Sequence, residues 1–211
     1  LGNRYSIDVD LDISPNYNAA PSQTMPVITD DGLEMMRWGL IPTWAKDEKI
    51  GYKLINARAE TLFEKPMWRT AVTKRRCLIP ANGFYEWQKQ EDGKHPYFIH
   101  PKDIKIFSFA GLWETWMHDG KEWHTYSIIT TEPNKEMEKI HNRMPVILHP
   151  DDEPQWLSAS VEVQNLSCIF VPSLIFQDQH YSVRFDTRSS RKSDQYFVCQ
   201  EYSHELVSRI Q

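Results

Sequence analysis

The sequence predicts an α+β fold that is mainly β, with a curved, partly closed, barrel-like sheet flanked by short helices. Short apolar runs recur along the chain and are separated by turn signals such as Asp-Gly, a spacing typical of β proteins. Helical signals are few and short. At 211 residues the chain is long enough to bury one sizeable core, so we expect a single domain over 1–211.

The predicted strands are apolar or aromatic runs bounded by turns. They cover 25–29, 33–40, 96–100, 104–116 and 123–131. Asp30-Asp31-Gly32 and Asp119-Gly120 are hairpin signals that join neighbouring pairs of these runs. Gly111 lies inside the longest run and predicts a bulge or a bend there.

Three short helices are predicted, and two stretches are less distinct. The helices cover 65–72, 132–140 and 151–158. Thr131 before Glu132-Pro133 has the pattern of an N-cap with proline in the first turn. The stretch from Arg4 to Ile7 is consistent with the opening of a strand. The alternation over 55–61 fits a strand, but 57–63 also fits a helix, and periodicity does not separate the two.

Glu86 stands out as a lone carboxylate among aromatic residues. A proline-bounded apolar run precedes Asn82-Gly83, which has the composition of a tight reversal in left-handed backbone. In the strand that follows, side chains alternate, so Phe84 and Glu86 share one face while Tyr85 and Trp87 share the other. We expect the Glu86 carboxylate to find a donor or to have a raised pKa useful for acid–base chemistry. The same spacing also fits a structural glutamate at the solvent-exposed end of the strand, with only the methylene groups of its side chain packed.

The charge distribution is asymmetric. The net charge of −5 argues against a protein that coats duplex DNA in general. Residues 37–76, however, contain ten Lys or Arg and four Asp or Glu, which gives this segment a charge of +6 and the rest of the chain a charge of −11. Trp38, Trp44 and Trp68 are interleaved with these cations, a composition typical of a groove for single-stranded nucleic acid. A solvated basic face over core tryptophans has the same composition.

Cysteine usage and hydropathy exclude several classes of protein. Cys77, Cys168 and Cys199 are odd in number, far apart and free of any CxxC, which favours a reducing cytoplasm over disulfides or a zinc site. The eight histidines include no HExxH motif, so we expect neither a metal nor a cofactor. No apolar run approaches membrane-spanning length, and no signal peptide opens the chain.

Five blocks in order resemble the SOS-response-associated peptidase (SRAP) family. They are Tyr17-Asn18-x-Ala20-Pro21, Trp38-Gly39-Leu40-Ile41-Pro42-x-Trp44, Asn56-Ala57-Arg58-Ala59-Glu60-Thr61, Arg76-Cys77-Leu78-Ile79-Pro80-Ala81-Asn82-Gly83-Phe84-Tyr85-Glu86-Trp87 and Ile140-His141-Asn142-Arg143-Met144-Pro145. Each block alone is weak, but five in register are specific. The similarity covers about residues 4–148, while 149–211 match only loosely and are expected to complete the same domain.

The resemblance implies a DNA-repair enzyme that binds abasic sites in single-stranded DNA and cross-links to them. In the family, removal of the initiator Met, by autoproteolysis, exposes an N-terminal Cys. Its amine condenses with the sugar aldehyde, and its thiol closes a thiazolidine ring. An α-amino pKa of about 7.7 and a thiol pKa of about 8.5 suit this chemistry near neutral pH. We expect a cytoplasmic protein, nucleoid-associated when bound to DNA, which acts as a monomer.

The resemblance also implies roles for individual residues. Asn56, Glu86 and His141 match the catalytic Asn, Glu and His. The expected DNA-binding residues are the phosphate-contacting Arg4, Arg58 and Arg143, the base-packing Trp44 and Trp87, and Thr130 as a polar contact. Other readings remain open for some of them, since His141 also suits a helix C-terminus, and Arg58 also suits an ion pair with Glu60.

The sequence departs from the family at the nucleophile. The family begins Cys-Gly-Arg-Tyr or near it, and counting back from Arg4-Tyr5 places Gly2 at the cysteine position. The cysteine lies upstream of Leu1, or was replaced, or is naturally absent. A non-covalent single-strand binding module is therefore the second hypothesis. A conventional cysteine peptidase is the third, although neither Cys77 nor Cys199 lies in a recognisable nucleophile context.

Overall fold

A computed structural model describes residues 1–7, 13–101 and 104–161, and the backbone of Tyr181–Phe185 and Phe197–Gln200. The strands are β1 (Asn16–Ala19), β2 (Thr24–Thr29), β3 (Gly32–Trp38), β4 (Asn56–Arg58), β5 (Arg76–Ala81), β6 (Gly83–Gln90), β7 (Gly93–Pro101), β8 (Phe107–His118), β9 (Lys121–Thr131), β10 (Met144–Pro145), β11 (Ile147–Leu148), β12 (Tyr181–Phe185) and β13 (Phe197–Gln200).

Five of these strands close into a barrel in the order β9–β3–β2–β5–β8 and back to β9. Closure depends on β9, which pairs in parallel with β3 and antiparallel with β8. The other pairs in the ring are antiparallel. Short strands extend the barrel, with β4 and β10 on β9 and β11 on β8. The predicted mainly β fold with a barrel-like sheet is confirmed.

A second, antiparallel sheet packs beside the barrel in the order β1–β13–β6–β7–β12. The contact between the sheets is aromatic, since Phe84 on β6 meets Phe109 on β8 edge-on at 5.8 Å between ring centroids. Such a pair contributes about 0.5–1.5 kcal/mol beyond the area it buries. Because Glu86 shares the Phe84 face of β6, it is also directed toward the barrel.

The helices are short. They are α1 (Gly2–Tyr5), α2 (Pro66–Lys74) and α3 (Glu153–Leu157), with 3₁₀ turns at Glu48–Lys53, Ala59–Thr61 and Met137–Lys139. The helices predicted over 65–72 and 151–158 are confirmed by α2 and α3. The ambiguous segment 55–61 is a strand over its first part and a 3₁₀ turn over its second. Within the described parts of the chain, no helix is both long enough and apolar enough to cross a membrane.

Two local predictions about helices and strands are wrong. Arg4 and Tyr5 lie in α1, not in a strand. The helix expected from Glu132 is absent because Thr131 stays in the ladder of β9 opposite Met144. Only a 3₁₀ turn forms later, where the Asn134 side chain accepts the N–H of Met137 at 2.9 Å.

The reversal predicted at Asn82-Gly83 is also wrong. Neither residue has a positive φ, and β5 and β6 belong to different sheets, so the segment is a corner between sheets and not a hairpin. Gly83 is needed for packing, because a Cβ there would lie 2.3 Å from the Phe98 ring.

Gly111 is not a bulge. It keeps register with Cys77 on one side and Ile128 on the other. An added Cβ would lie 2.1 Å from Ile79 Cδ1 and 2.9 Å from Cys77 Sγ. The glycine therefore makes room for side chains inside the barrel.

A buried guanidinium fastens both longer helices to β5. Arg76 is 3% exposed and donates to the carbonyl oxygens of Val72 at 2.8 Å and Thr73 at 3.1 Å, at the end of α2. It also donates to the carbonyl oxygens of Trp156 at 2.6 Å and of Ser158, at the end of α3. One side chain thus satisfies carbonyl groups from two helices.

We expect Arg76→Met to destabilise the protein by about 3 kcal/mol or more, because it leaves several buried carbonyl groups without a donor. Urea denaturation followed by tryptophan fluorescence measures the loss. The control is Arg69→Met on the exposed side of α2, which should change stability by about 0.5 kcal/mol or less. Equal losses in the two variants would contradict the role assigned to Arg76.

Candidate active site

Glu86 is a carboxylic acid buried on the barrel-facing side of β6, where it is 3% exposed. The backbone N–H of Trp87 hydrogen bonds to its carboxylate. Its Oε1, however, has no hydrogen-bond partner among the described residues. Leaving a buried polar atom unpaired costs about 1–3 kcal/mol, so such an atom often marks a functional site.

Burial raises the pKa of the Glu86 carboxyl well above its usual range, and the Trp87 N–H, which favours the charged form, offsets this only partly. Glu86 therefore keeps its proton to higher pH than an exposed glutamate does. A carboxyl that keeps its proton and has an unpaired oxygen can act as a general acid. The sequence-based expectation of a perturbed carboxyl is met.

His141 lies beside this acid. Its Nδ1 is 3.8 Å from Glu86 Oε1, and its side chain is 35% exposed. The same nitrogen lies 3.2 Å from both the backbone N and the backbone O of Arg143, which fixes the ring orientation. A separation of 3.8 Å is too long for a hydrogen bond, but a movement of about 1 Å closes it. The imidazole thus lies between the buried acid and solvent.

Parallel pairing of β4 with β9 brings three predicted residues together. Asn56 lies opposite Ile128, and Arg58 lies opposite Thr130. Asn56 and Arg58 share the face of β4 that is opposite to the buried Ala57. Thr130 itself is 4% exposed. One short strand therefore presents an amide and a guanidinium beside a buried hydroxyl.

Arg143 connects this strand pair to His141. Its Nη2 donates to the Thr130 carbonyl oxygen at 2.7 Å and approaches Thr130 Oγ1 at 3.4 Å. Its Nη1 and Nη2 donate to the two carboxylate oxygens of Glu60 at 2.8 and 2.9 Å. Because Arg143 is two residues from His141, the Glu86–His141 pair and the β4–β9 residues form one continuous region.

Arg4 is engaged in an ion pair with Glu153 on α3. It donates to both carboxylate oxygens of Glu153, at 3.0 and 2.8 Å. Ser108 donates to Glu153 at 2.7 Å, and the Tyr5 hydroxyl lies 2.8 Å from the Ser108 hydroxyl. Gly2, at the expected nucleophile position, begins the helix that this network holds.

The two predicted base-packing tryptophans lie apart. Trp87 is half-buried and follows Glu86 on β6. Trp44 is 64% exposed on the loop after β3, where Ala45 accepts a hydrogen bond from the Trp116 indole at 2.9 Å. Trp116 pairs with Trp123, at the far end of β9 from Thr130. Trp44 therefore lies away from the Glu86–His141 pair.

Sequence reasoning missed the partner of one carboxylate, Glu60, and missed a second carboxylate, Glu153, altogether. Glu60 pairs with Arg143 and not, as considered, with Arg58. The sequence signal was the alternation of Asn56, Arg58 and Glu60, but the partner is 83 residues away. Glu153, 5% exposed and paired with Arg4, carried no local signal.

Two other possible site types have little support. Cys77 is fully buried, and burial raises the pKa of its thiol well above the ordinary value, which is unfavourable for a nucleophile. Cys168 lies outside the described residues, and of Cys199 only the backbone is described. In the described part of the chain, no three His, Cys, Asp or Glu side chains are grouped so that they could hold a metal ion.

Comparison with known proteins gives a consistent result. Residues 3–184 match the family model described as SOS response associated peptidase (SRAP). The chain is 51% identical over 167 residues to abasic site processing protein YoaM of Bacillus subtilis. This alignment covers 76% of this chain and 72% of that protein. It is 34% identical over 179 residues to abasic site processing protein HMCES of Xenopus tropicalis, covering 68% of this chain and 53% of that protein. A crystal structure of a protein from Bacteroides thetaiotaomicron has a TM-score of 0.72 and 36% identity, covering 77% of this chain and 74% of that one.

We expect Glu86→Gln to stabilise the protein in a pH-dependent way. The unfolded carboxyl ionises near its ordinary pKa of 4.5, whereas the folded one keeps its proton to higher pH. As pH rises above 4.5, the unfolded wild-type chain releases the Glu86 proton while the folded protein retains it, so the wild type loses stability. The glutamine of the variant has no proton to release, so the variant does not lose stability in this way.

Denaturation curves from pH 4 to 9 measure the effect, with exposed Glu64→Gln as the control. The stability gain of Glu86→Gln over wild type should be smallest at low pH, grow above pH 4.5 and level off beyond the folded pKa. A gain that does not change with pH would show that Glu86 is not a perturbed acid.

Proposed function

Because the chain belongs to the SOS response associated peptidase family, we propose that it is an abasic-site processing protein that cross-links to single-stranded DNA. The observation that carries the proposal is the buried Glu86 carboxyl, with an unpaired oxygen 3.8 Å from His141 Nδ1. Such a pair suits a reaction that moves several protons. The relatives named abasic site processing proteins support the same substrate.

The proposed reaction joins an N-terminal cysteine at the Gly2 position to the open-chain sugar. The α-amine attacks the aldehyde carbon, and the resulting carbinolamine loses water to give an imine. The thiol sulfur then adds to the imine carbon, while a proton goes to the nitrogen, which closes a thiazolidine ring. Glu86 donates the proton that the departing hydroxide needs, and His141 accepts the thiol proton. Autoproteolytic removal of an initiator Met would expose the amine.

The remaining residues are proposed to hold DNA. Arg58 is exposed on β4 and available to a phosphate, whereas Arg143 and Arg4 must first exchange a carboxylate partner. Trp87 and Trp44 supply flat rings for bases, Thr130 a polar contact and Asn56 an amide that orients the sugar. We propose that the protein acts as a cytoplasmic monomer and associates with the nucleoid when bound to DNA.

The test is a variant that lacks Leu1 and carries Gly2→Cys, mixed with a single-stranded oligonucleotide containing one abasic site. We expect an adduct that survives denaturing electrophoresis. Glu86→Gln and His141→Ala should each slow its formation by about 10²-fold or more, a typical contribution of a positioned acid or base.

Gly2→Ser in the same background is the matched control, since it keeps the amine and lacks the thiol. It should give an adduct only when borohydride reduces the imine. Absence of any adduct from the Gly2→Cys variant, or unchanged rates in the Glu86 and His141 variants, would refute the mechanism.

The second candidate function is non-covalent binding of single-stranded DNA, favoured by the glycine at the nucleophile position and by the exposure of Trp44. It predicts salt-sensitive binding by every natural form, with no adduct. Arg58→Ala should weaken binding and reduce the slope of log K against log salt by about 0.7, and Trp44→Ala should cost about 1–3 kcal/mol.

Fluorescence anisotropy with a labelled oligonucleotide measures both effects. Arg69→Ala and Tyr17→Ala are the controls, since they remove an exposed cation and an exposed ring elsewhere on the surface. If the control variants lose as much affinity as Arg58→Ala and Trp44→Ala do, no defined binding surface exists at these residues.

A further inference from the structure

Glu60 lies beside two of the residues proposed to contact phosphate, Arg143 and Arg58. Its carboxylate receives Nη1 and Nη2 of Arg143 at 2.8 and 2.9 Å. The hydrogen bonds from Arg143 have the largest effect on the Glu60 carboxyl and lower its pKa. Partial burial opposes them, while a hydrogen bond to the backbone of Glu60 and the charges of Arg143 and Arg58 lower the pKa further. A fixed negative charge therefore lies among the cations expected to attract DNA.

This contact uses the donors that Arg143 would offer to a phosphate. Both terminal nitrogens of the guanidinium donate to Glu60, and Nη2 also donates to the Thr130 carbonyl at 2.7 Å. The remaining nitrogen, Nε, is buried. Carboxylate and phosphate both present two oxygens to the fork of an arginine, so they compete for the same edge.

We propose that Glu60 is an internal phosphate mimic, which occupies the anion site on the Arg143 guanidinium until the DNA backbone displaces it. The proposal rests on the proposed function, since it requires that these residues meet single-stranded DNA. The Glu60 side chain is 41% exposed, against 20% for Arg143, so an approaching strand meets the carboxylate first. Because displacing Glu60 from Arg143 costs free energy, Glu60 lowers the affinity for any DNA strand.

Intact and damaged strands both have to displace Glu60 to reach Arg143. An undamaged strand gains only backbone and stacking contacts when it displaces Glu60. A strand with an abasic sugar also gains the interactions around Glu86 and His141, which an intact base blocks sterically. Because both strands displace Glu60, the cost of displacement lowers the two affinities by the same factor and cancels from their ratio.

Glu60→Gln tests the proposal, with Glu64→Gln as the matched control. Glu64 is exposed four residues later, so its variant removes the same charge from the same segment. Anisotropy titrations with intact and abasic oligonucleotides over a range of salt concentrations give the affinities. Glu60→Gln should bind intact and abasic DNA about fivefold more tightly than Glu64→Gln does, because Arg143 no longer has to exchange a carboxylate for the phosphate.

Binding no tighter than that of Glu64→Gln would overturn the proposal, and weaker binding would show that Glu60 instead holds Arg143 in place for DNA. In the Arg143→Ala background, Glu60→Gln should have no more effect than Glu64→Gln has, and a persistent gain would also overturn it. Adduct formation by the Gly2→Cys form is a separate readout. Tighter binding without any adduct would leave the phosphate mimic intact and refute the covalent function.

Discussion

The barrel and most of the candidate site depend on the pairing of a single strand, β9. Its first part closes the barrel, because Thr125 and Tyr126 pair in parallel with β3 while the same segment pairs antiparallel with β8. Its last part leaves that ring and pairs with β4 and β10. Asn56, Arg58 and Arg143 are therefore placed by the register of β9 beyond the point where the barrel closes. A slip of one residue would turn these side chains to the opposite face.

Three carboxylates, Glu86, Glu60 and Glu153, differ because their partners differ. Glu86 is buried without a cation among the described residues, so burial alone decides its pKa direction and favours the neutral acid. Glu60 and Glu153 each receive both terminal nitrogens of an arginine. At Glu60 these hydrogen bonds lower the pKa of the carboxyl. Glu114, a further carboxylate among aromatic residues, is paired with Arg75 at 2.6 Å. Of these four, only Glu86 combines deep burial with an unpaired oxygen, which is what a proton donor requires.

Short sequence motifs correctly predicted those features that depend only on residues close together in the chain. The Asp30 and Asp119 hairpins formed as expected, because a two-residue turn fixes the register of its own strands. The alternation that placed Glu86 with Phe84 also held. Asn82-Gly83 failed because the direction of the chain after β5 is decided by which sheet the next strand joins. Thr131 failed as a helix cap because its ladder partner, Met144, comes later in the chain. The Glu60–Arg143 pair was unpredictable for the same reason, since it joins segments 83 residues apart.

The N-terminal segment is anchored to the rest of the domain immediately after the Gly2 position. Arg4 and Tyr5 are tied to Glu153 and Ser108, so the first helical turn is held to α3 and β8 by side chains immediately after residue 2. A reactive group at that position would belong to an anchored element and not to a free terminus. Anchoring lowers the entropy lost when amine and sugar meet, which is the main advantage of an intramolecular arrangement. It also assigns Arg4 a structural role in the free protein, because releasing its guanidinium to a phosphate would leave Glu153 buried and without its cation.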